Sequence, residues 1–445
     1  MRFGSSGRSR GAAVALIAGS LALTACSAGS LGSSSGGGST PGGKTDITFL
    51  TNNDPNNIKT ANAVIKAFQT ANPDITVKLD TRPGGGDGDN LVKTRLSTGD
   101  MADVFEYNSG SLFQAISPEK NLTPLTNEPW VSDLDDTFKS VVSANNNVYG
   151  APWGNVVGGG VFYNMKIYDR LGLKVPTTWE QFMANNAKIK AAGITPVEQT
   201  YGDTWTSQLF VLADYHNVAT ADPSFAEDYT ANKAKYATTP SALAGFQHLE
   251  DVHKAGYMNK DFAAAKFNDG LAAVATGKAA HYPMLTFGVA GIYSVSPKTV
   301  NDVGFFAQPG TDASKAGATI WEPSGVYIPK TTEGAKLDAA KKFEAFLASA
   351  KGCEAQAAVA PVGGPFPVKT CSLPANVATA AKDVNSYVQK GDTTPALEFL
   401  SPIKGPSLEQ ITVEVGSGIR PANDGAALYD KDVTKQAQQL GLPGW

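Results

Sequence analysis

A strand–helix–strand pattern near the start of the folded region constrains this chain more than any other feature. Residues 46–51 and 75–79 are predicted strands, the second because apolar and polar residues alternate along it. Between them, apolar residues recur at spacings of three and four, which places them on one helical face: Ile58, Ala61, Ile65 and Phe68. Such a βαβ unit predicts a parallel sheet with a right-handed crossover.

Strands and helices continue to alternate along the rest of the chain. Residues 103–107 and 194–198 are predicted strands, and a glycine-rich loop at 84–88 precedes a predicted helix at 90–98. A capping-box pattern at residues 177–180 predicts the start of another helix. Alanine-rich helices are predicted at residues 242–255, 335–350 and 426–440. The sequence therefore predicts an α/β fold, long enough for two lobes with cores of their own.

The N-terminal segment has a different composition from the rest. An apolar run at residues 12–23 follows three arginines and is too short to span a bilayer, as expected of a signal peptide. The run ends in Leu-Thr-Ala-Cys, which resembles the lipobox of bacterial lipoproteins. This resemblance implies a signal peptide at residues 1–25 and a lipid on Cys26; the alternative is an ordinary secretory signal with an incidental cysteine. Residues 26–44 are mostly glycine and serine and predict a flexible tether.

The charge and the cysteine content limit the possible binding partners and the cellular compartment of the protein. The formal net charge is −4, with mixed acidic and basic residues, which argues against nucleic acid as a partner. If Cys26 carries a lipid, Cys353 and Cys371 remain as a pair, and an oxidising compartment predicts a disulfide between them. A metal site is the weaker interpretation, because no histidine lies near either cysteine.

Several short motifs follow one another along the chain in the order that a known family has. They are TGDMADV at 98–104, VYGAPW at 148–153, FYNM at 162–165, LGL at 171–173, PTTWE at 176–180, GITP at 193–196, FNDG at 267–270, TGKAA at 276–280 and GSG at 416–418. Together they resemble the extracellular solute-binding protein family 1, which includes maltose-binding protein. The resemblance implies a two-lobed periplasmic-binding-protein fold of type II, with the ligand in the cleft between the lobes. Lobe 1 is expected to comprise residues 45–153 and about 316–366, and lobe 2 residues 154–315 and about 367–445.

The resemblance also implies a function. It predicts a lipid-anchored receptor on the extracytoplasmic face of the cell membrane, monomeric and without cofactor or metal, that delivers a carbohydrate to the permease of an ABC importer. A neutral sugar is favoured over an anion because arginine is scarce after residue 25: only Arg82, Arg95, Arg170 and Arg420 occur. The alternatives are a binding protein for another solute and, less favoured, a surface-anchored glycan hydrolase, for which no catalytic motif is found.

Candidate ligand-binding residues come from two sources. Ligands of open α/β sheets lie beyond the carboxyl ends of the strands, which selects Asn52, Asn53, Asp54, Glu106, Tyr107 and Asn108. The family resemblance adds Trp153, Tyr201, Asp203, Trp205, Phe287, Trp321 and Glu322, with Phe287 where relatives often have a stacking tryptophan. Core packing is the alternative for the three tryptophans, and capping or solvation is the alternative for Asp54, Glu106 and Asp203.

Overall fold

The computed structural model describes residues 44–374 and 377–445. The predicted signal peptide, the predicted lipidation at Cys26 and nearly all of the predicted tether lie outside these residues. No helix in the described part of the chain is long and apolar enough to cross a membrane.

The described residues form strands and helices that alternate along the chain. The strands are β1 (Thr45–Asn52), β2 (Ile75–Arg82), β3 (Val104–Tyr107), β4 (Ser143–Ala144), β5 (Asn147–Val148), β6 (Gly150–Trp153), β7 (Val157–Asn164), β8 (Thr195–Val197), β9 (Ala279–Leu285), β10 (Val303–Ala307), β11 (Ala318–Trp321), β12 (Ser324–Tyr327) and β13 (Thr393–Pro395). The helices are α1 (Pro55–Ala71), α2 (Gly85–Thr98), α3 (Ser111–Ala115), α4 (Pro118–Asn121), α5 (Asp136–Val141), α6 (Met165–Leu171), α7 (Trp179–Ala191), α8 (Leu209–Leu212), α9 (Tyr215–Ala221), α10 (Phe225–Thr230), α11 (Pro240–Lys254), α12 (Phe267–Thr276), α13 (Val289–Val295), α14 (Gly334–Leu347), α15 (Ala350–Ala357), α16 (Thr379–Lys390), α17 (Leu397–Leu400), α18 (Leu408–Gly416) and α19 (Ala422–Gln439).

Lobe 1, defined here as residues 44–153 and 324–371, is built on a mixed sheet with the strand order β2-β1-β3-β12-β6. β1 pairs in parallel with β2 and β3, whereas β12 runs antiparallel to β3 and β6. Phe49 of the sheet packs against Phe343 of α14, and Phe343 packs in turn against Phe68 of α1. All three rings are fully buried, so α1 and α14 cover this sheet with a shared aromatic core.

Lobe 2, defined as residues 157–321 and 377–445, has its own sheet and cores. The strand order is β13-β11-β7-β9-β8, and β10 also pairs with β7. Its largest core includes Phe182, Phe246 and Phe306, all buried. Residues 154–156 and 322–323 connect the two sheets. The pairing puts β11 in the second sheet and β12 in the first, so the sheets change at residue 322, a few residues after the lobe boundary expected at about 316.

The predicted βαβ unit is confirmed in its strands, its helix and its parallel pairing. β1 and β2 are in register from Thr45 opposite Ile75 to Asn52 opposite Arg82. The helix between them begins after Asp54, whose carboxylate accepts hydrogen bonds from the N–H groups of the second and third helical residues. An aspartate in this position satisfies donors that the helix itself leaves unpaired.

Two helix starts differ from the predictions. The segment predicted as a glycine-rich loop forms the first turn of α2, which begins at Gly85. A carboxylate oxygen of Glu409, more than 300 residues away, accepts the Gly86 N–H (3.3 Å) and so stabilises a turn that glycine alone disfavours. The cap of α7 is Thr178 rather than Thr177, and its hydroxyl accepts the Gln181 N–H (3.3 Å).

A disulfide joins Cys353 of α15 to Cys371, 18 residues later in the sequence. We expect replacement of both cysteines by serine to lower the free energy of unfolding by about 3 kcal/mol, because the cross-link restricts the unfolded chain. Denaturant unfolding of the wild type and the double variant, both under non-reducing conditions, measures this difference. Equal unfolding midpoints and slopes would contradict the expectation.

Candidate ligand-binding site

The carboxyl ends of β1, β2 and β3 meet at one edge of the lobe 1 sheet. Glu106 of β3 accepts hydrogen bonds from the Thr51 hydroxyl (3.0 Å), from the Asn52 backbone N–H (3.2 Å) and from the Asn52 side-chain amide (3.4 Å). Arg82, the last residue of β2, lies 3.7 Å from the same carboxylate oxygen, and both residues are only 4% exposed. Glu106 therefore holds the ends of all three strands together, and its charge is compensated within the protein.

Two buried polar atoms beside this ion pair have no partner among the residues that the structure describes: the Nε atom of Arg82 and the hydroxyl of Tyr107. Burial, and to a lesser degree the charge of Asp89, raises the pKa of Tyr107 well above its usual value, so the hydroxyl stays protonated. Burial also raises the pKa of Asp89, although the positive charges of Arg82 and Lys404 oppose this. Because an unpaired buried polar group is costly, this polar corner (Arg82, Asp89 and Tyr107) is suited to hydrogen bonds with a ligand.

The N-terminus of α1 lies against lobe 2. One carboxylate oxygen of Asp54 caps the helix, and the other accepts a hydrogen bond from the side-chain amide of Asn268 (3.4 Å). Nearby, the hydroxyl of Ser294 donates to the side-chain oxygen of Asn56 (2.5 Å). Asn53 between these contacts is exposed. These hydrogen bonds join the two lobes along one rim of the cleft.

Three aromatic rings of lobe 2 lie together beside the cleft, and we call them the aromatic trio: Trp205, Phe287 and, buried beneath them at 7% exposure, Phe267. The ring centroids lie 5.3 Å apart for Trp205 and Phe267, 6.1 Å for Trp205 and Phe287, and 5.7 Å for Phe267 and Phe287. Phe287 is 39% exposed, which is unusual for a ring of this size. The trio therefore presents a partly exposed aromatic surface to the cleft.

Two further contacts place the aromatic trio relative to the polar groups. A carboxylate oxygen of Asp203 accepts the backbone N–H of Phe267 (2.8 Å), which links the turn that carries Trp205 to the start of α12. On the opposite side, a β-carbon on Gly85 would lie 3.7 Å from the indole of Trp205. Since Gly85 and Asp89 both belong to α2, this helix connects the aromatic trio to the polar corner.

The comparisons with known proteins show which family the chain belongs to. Residues 53–352, well over half of the chain, match the family model described as bacterial extracellular solute-binding protein. The chain belongs to this family. Among the described residues of this solute-binding protein, no group of three His, Cys, Asp or Glu side chains is placed to hold a metal ion.

Individual relatives and solved structures are similar to this chain over most of their length. A multiple sugar-binding protein of Streptococcus mutans is 28% identical over 305 residues, which cover 66% of this chain and 69% of the relative. A solved structure described as a chitin oligosaccharide binding protein superposes with a TM-score of 0.76 at 21% identity, over 89% of this chain and 99% of the other. A structure of SBP RafE in complex with raffinose gives a TM-score of 0.73 at 20% identity, over 89% and 100%. These two structures show that the chain has the two-lobed fold of the family.

The structure brings only part of the predicted ligand-binding set into the cleft. Asn52, Asp54, Tyr107, Asp203, Trp205 and Phe287 line the cleft or hold its lining in place, as described above. Asn108 follows β3, and its carbonyl accepts the Tyr327 hydroxyl (3.1 Å). Tyr201 is 4% exposed and packs against Phe262 in the lobe 2 core.

Of the three remaining predicted residues, Trp321 and Glu322 lie where the chain crosses between the sheets. The indole N–H of Trp321 donates to the carboxylate of Glu398, and the ring packs with Val157 in a small buried cluster. Burial raises the pKa of Glu322 to about 7, and the charge of Asp135 adds to this effect. The structure therefore places Trp321 and Glu322 at the connection between the lobes.

Trp153 is also a packing residue in this structure. It is 6% exposed, its ring meets Phe49 edge-on at 5.2 Å, and its indole N–H donates to Asn57 (2.8 Å). We expect Trp153→Phe to lower the free energy of unfolding by about 1–2 kcal/mol, because it removes the hydrogen bond and part of the packed ring. Thermal or denaturant unfolding measures this loss. A variant with wild-type stability and weaker ligand binding would instead make Trp153 a ligand contact.

Sequence reasoning missed four residues in or directly beneath the cleft: Arg82, Asp89, Phe267 and Glu409. A signal existed for Arg82, because the carboxyl-end rule that selected the residues after β1 and β3 applies equally to β2. Asp89 lies in a segment whose helical start was not recognised. Glu409 lies on α18, more than 300 residues beyond the glycines it contacts, and no local pattern marks such a contact.

Proposed function

We propose that this solute-binding protein captures a sugar or oligosaccharide outside the cell and delivers it to the permease of an ABC importer. The observation that carries this proposal is the aromatic trio facing α2, the helix that also carries Asp89 of the polar corner. A neutral sugar has an apolar C–H face that packs on aromatic rings, and hydroxyls that pair with carboxylates, amides and guanidinium groups. The cleft offers both kinds of partner within a few residues of each other.

The polar corner suits sugar hydroxyls because it combines donors and acceptors. The Arg82 Nε–H can donate, the Tyr107 hydroxyl can donate or accept, and the Asp89 carboxylate can accept. The side-chain oxygen of Asn268, which is buried and has no partner in the described chain, adds an acceptor near the aromatic trio. The names of the relatives, which refer to multiple sugars, chitin oligosaccharide and raffinose, support the same ligand class.

Ligand capture is proposed to proceed by closure of lobe 1 onto lobe 2, the lobes being those defined above. Hydrogen bonds between described residues that join the lobes at the cleft include those of Asp54 with Asn268, Asn56 with Ser294, and Glu409 with Gly86. A sugar that contacts both lobes adds to these interactions only in the closed form. It therefore shifts the equilibrium toward closure by its differential affinity for that form, and the permease recognises the closed protein.

Isothermal titration tests the ligand class directly. The mature chain without its N-terminal cysteine is titrated with raffinose, stachyose, melibiose, galactose and chitin oligosaccharides, and with spermidine and a tripeptide as non-sugar probes. We expect one-site binding of at least one sugar, and chromatography of the recovered sugar should show no cleavage. Binding of a non-sugar probe alone, or release of hydrolysis products, would contradict the proposal.

We further propose that a lipid on Cys26 anchors the protein to the outer face of the cell membrane. We expect Cys26→Ser to move the protein from the membrane fraction to the culture medium or periplasm, because it removes the acceptor of the lipid. Fractionation and immunoblotting measure the distribution, with Ser27→Ala as the matched control. If Cys26→Ser stays in the membrane fraction in high salt, the anchor is not a lipid on this residue.

A further inference from the structure

Residues 363–371, which we call the strap, run along lobe 1 from the connection between the lobes to the disulfide. Three backbone contacts fix their far end: the Asp135 N–H donates to the Pro367 carbonyl (3.1 Å), the Lys369 N–H donates to the Asp133 carbonyl (2.8 Å), and Leu134 forms a bridge with Val368. The disulfide with Cys353 holds the last residue of the strap on α15. The far end is therefore firmly part of lobe 1.

The near end of the strap contacts the chain where it crosses between the lobes. The Val156 N–H donates to the Pro365 carbonyl (2.8 Å). On the same side, Gln356 of α15, one turn after the disulfide, accepts the Gly154 N–H (2.8 Å). The strap and the disulfide-bearing helix α15 thus both form hydrogen bonds with the first connection between the lobes, residues 154–156.

The near end also reaches the residue that precedes Phe287 of the aromatic trio. The Thr286 hydroxyl donates to the Gly363 carbonyl (3.0 Å) and accepts the Gly158 N–H of β7 (3.0 Å), and Thr286 is fully buried. One hydroxyl group therefore joins the strap of lobe 1 to the central strand of lobe 2, next to the exposed ring.

The approach of the strap is too close for any side chain. A β-carbon on Gly363 would overlap the Thr286 carbonyl and lie 3.0 Å from the Phe287 nitrogen, and one on Gly364 would overlap the Val156 carbonyl. Backbone stacked on backbone at this distance leaves little freedom to Phe287. The two glycines are thus required by packing, since any larger residue would push the strap away from lobe 2.

We propose that the disulfide-anchored strap positions Phe287 for ligand binding, with Thr286 and Gly363 as positioning residues. This inference rests on the proposed function in one respect, namely that Phe287 contacts the sugar. Loss of the Thr286 hydroxyl releases the near end directly. Loss of the disulfide loosens α15, whose Gln356 holds the first connection at Gly154, and so loosens the near end indirectly. In both cases Phe287 samples orientations that do not match the ligand. Affinity then falls although every side chain of the aromatic trio is still present.

The test compares Thr286→Val, which keeps the shape and removes the hydroxyl, with Thr286→Ser, which keeps the hydroxyl. We expect the valine variant to bind the tightest sugar of the panel about tenfold more weakly, and the serine variant to bind it within about twofold of wild type. In a Phe287→Ala background, Thr286→Val should have no further effect on affinity, because its action passes through that ring. Full additivity of the two substitutions would overturn the proposal.

A measurement without ligand separates this proposal from the proposed function. Hydrogen exchange of the backbone amides at 286–290 should become faster in Thr286→Val and in wild type treated with a phosphine reductant, while exchange in α19 stays unchanged. If exchange becomes faster but the protein binds no sugar, the positioning role of the strap is supported and the proposed function is contradicted. Unchanged exchange at 286–290 in both the folded valine variant and the reduced wild type would overturn the proposal that the strap positions Phe287. If the valine variant does not fold, the exchange measured in the reduced wild type alone decides.

Discussion

Trp205→Ala should lower the affinity for the tightest-binding sugar by about two to three orders of magnitude, or ~3–4 kcal/mol. Trp205 is the largest ring of the aromatic trio and contacts both other members, so its loss removes the ligand surface of the indole and the support of Phe267 and Phe287. It also removes the indole that α2 approaches at Gly85, where an added β-carbon would lie 3.7 Å from the ring. Titration of the variant with the same sugar measures the change.

Trp445→Ala is the matched control for this prediction. Trp445 is also partly buried, but its indole N–H donates to the Thr230 carbonyl (2.9 Å) and its ring lies 4.1 Å from the Lys235 ammonium, at the C-terminus of lobe 2. Its removal should leave sugar affinity within about twofold of wild type, because these contacts lie outside the cleft. If Trp205→Ala binds as tightly as this control, the aromatic trio is a packing cluster and the ligand site lies elsewhere.

The sequence predicts local structure well where one short pattern decides the outcome. The spacing of Ile58, Ala61, Ile65 and Phe68 predicts α1, and Ala61, Ile65 and Phe68 are indeed buried against the lobe 1 sheet. The start of α2 could not be predicted in this way. Glycines at 84–88 favour a loop locally, and the helix begins there because Glu409 of the other lobe satisfies one of its N-terminal donors.

The candidate site also contains residues that could be predicted from the sequence and others that could not. Trp205 and Phe287 were selected from a family resemblance and lie together in the cleft, whereas Trp153 and Trp321 were selected in the same way and are packed with hydrogen-bonded indoles. Tryptophan suits both environments, and only the neighbours brought by the fold distinguish them. Arg82 illustrates the opposite case, since a general rule about strand ends suffices to find it.

His281→Phe should lower the free energy of unfolding by about 4 kcal/mol at pH 7.5. His281 is fully buried in lobe 2, with one ring nitrogen 2.9 Å from the Pro196 carbonyl and the other 2.7 Å from the Tyr168 hydroxyl. These partners assign the proton to Nδ1, which donates to the carbonyl, while Nε2 accepts from the tyrosine. Phenylalanine fits among the neighbouring rings of Phe182 and Phe306 but leaves both polar partners buried and unpaired.

The cost of His281→Phe should become smaller in acid. Burial lowers the pKa of His281 to about 3, whereas an unfolded histidine titrates near 6.5. As the pH falls below about 6.5, His281 becomes protonated in the unfolded wild type but stays neutral in the folded protein. This histidine therefore destabilises the folded wild type progressively down to about pH 3. At pH 5 the loss is ~2 kcal/mol relative to pH 7.5, and the phenylalanine variant lacks it. The difference in unfolding free energy between the two proteins should therefore shrink by about half.

Tyr168→Phe separates the hydrogen bond from the titration. This variant removes the donor to Nε2 but keeps the histidine, so it should lose about 1–2 kcal/mol at pH 7.5 and retain the acid dependence of the wild type. His248 is also buried, with a pKa lowered to about 3, and is present in all three proteins, so its contribution cancels in each difference. Urea unfolding at pH 7.5 and pH 5 measures all three. A His281→Phe cost that stays constant between these pH values would mean that His281 takes up a proton as readily in the folded protein as in the unfolded chain, and the assignment of Nε2 as a neutral acceptor would then be wrong.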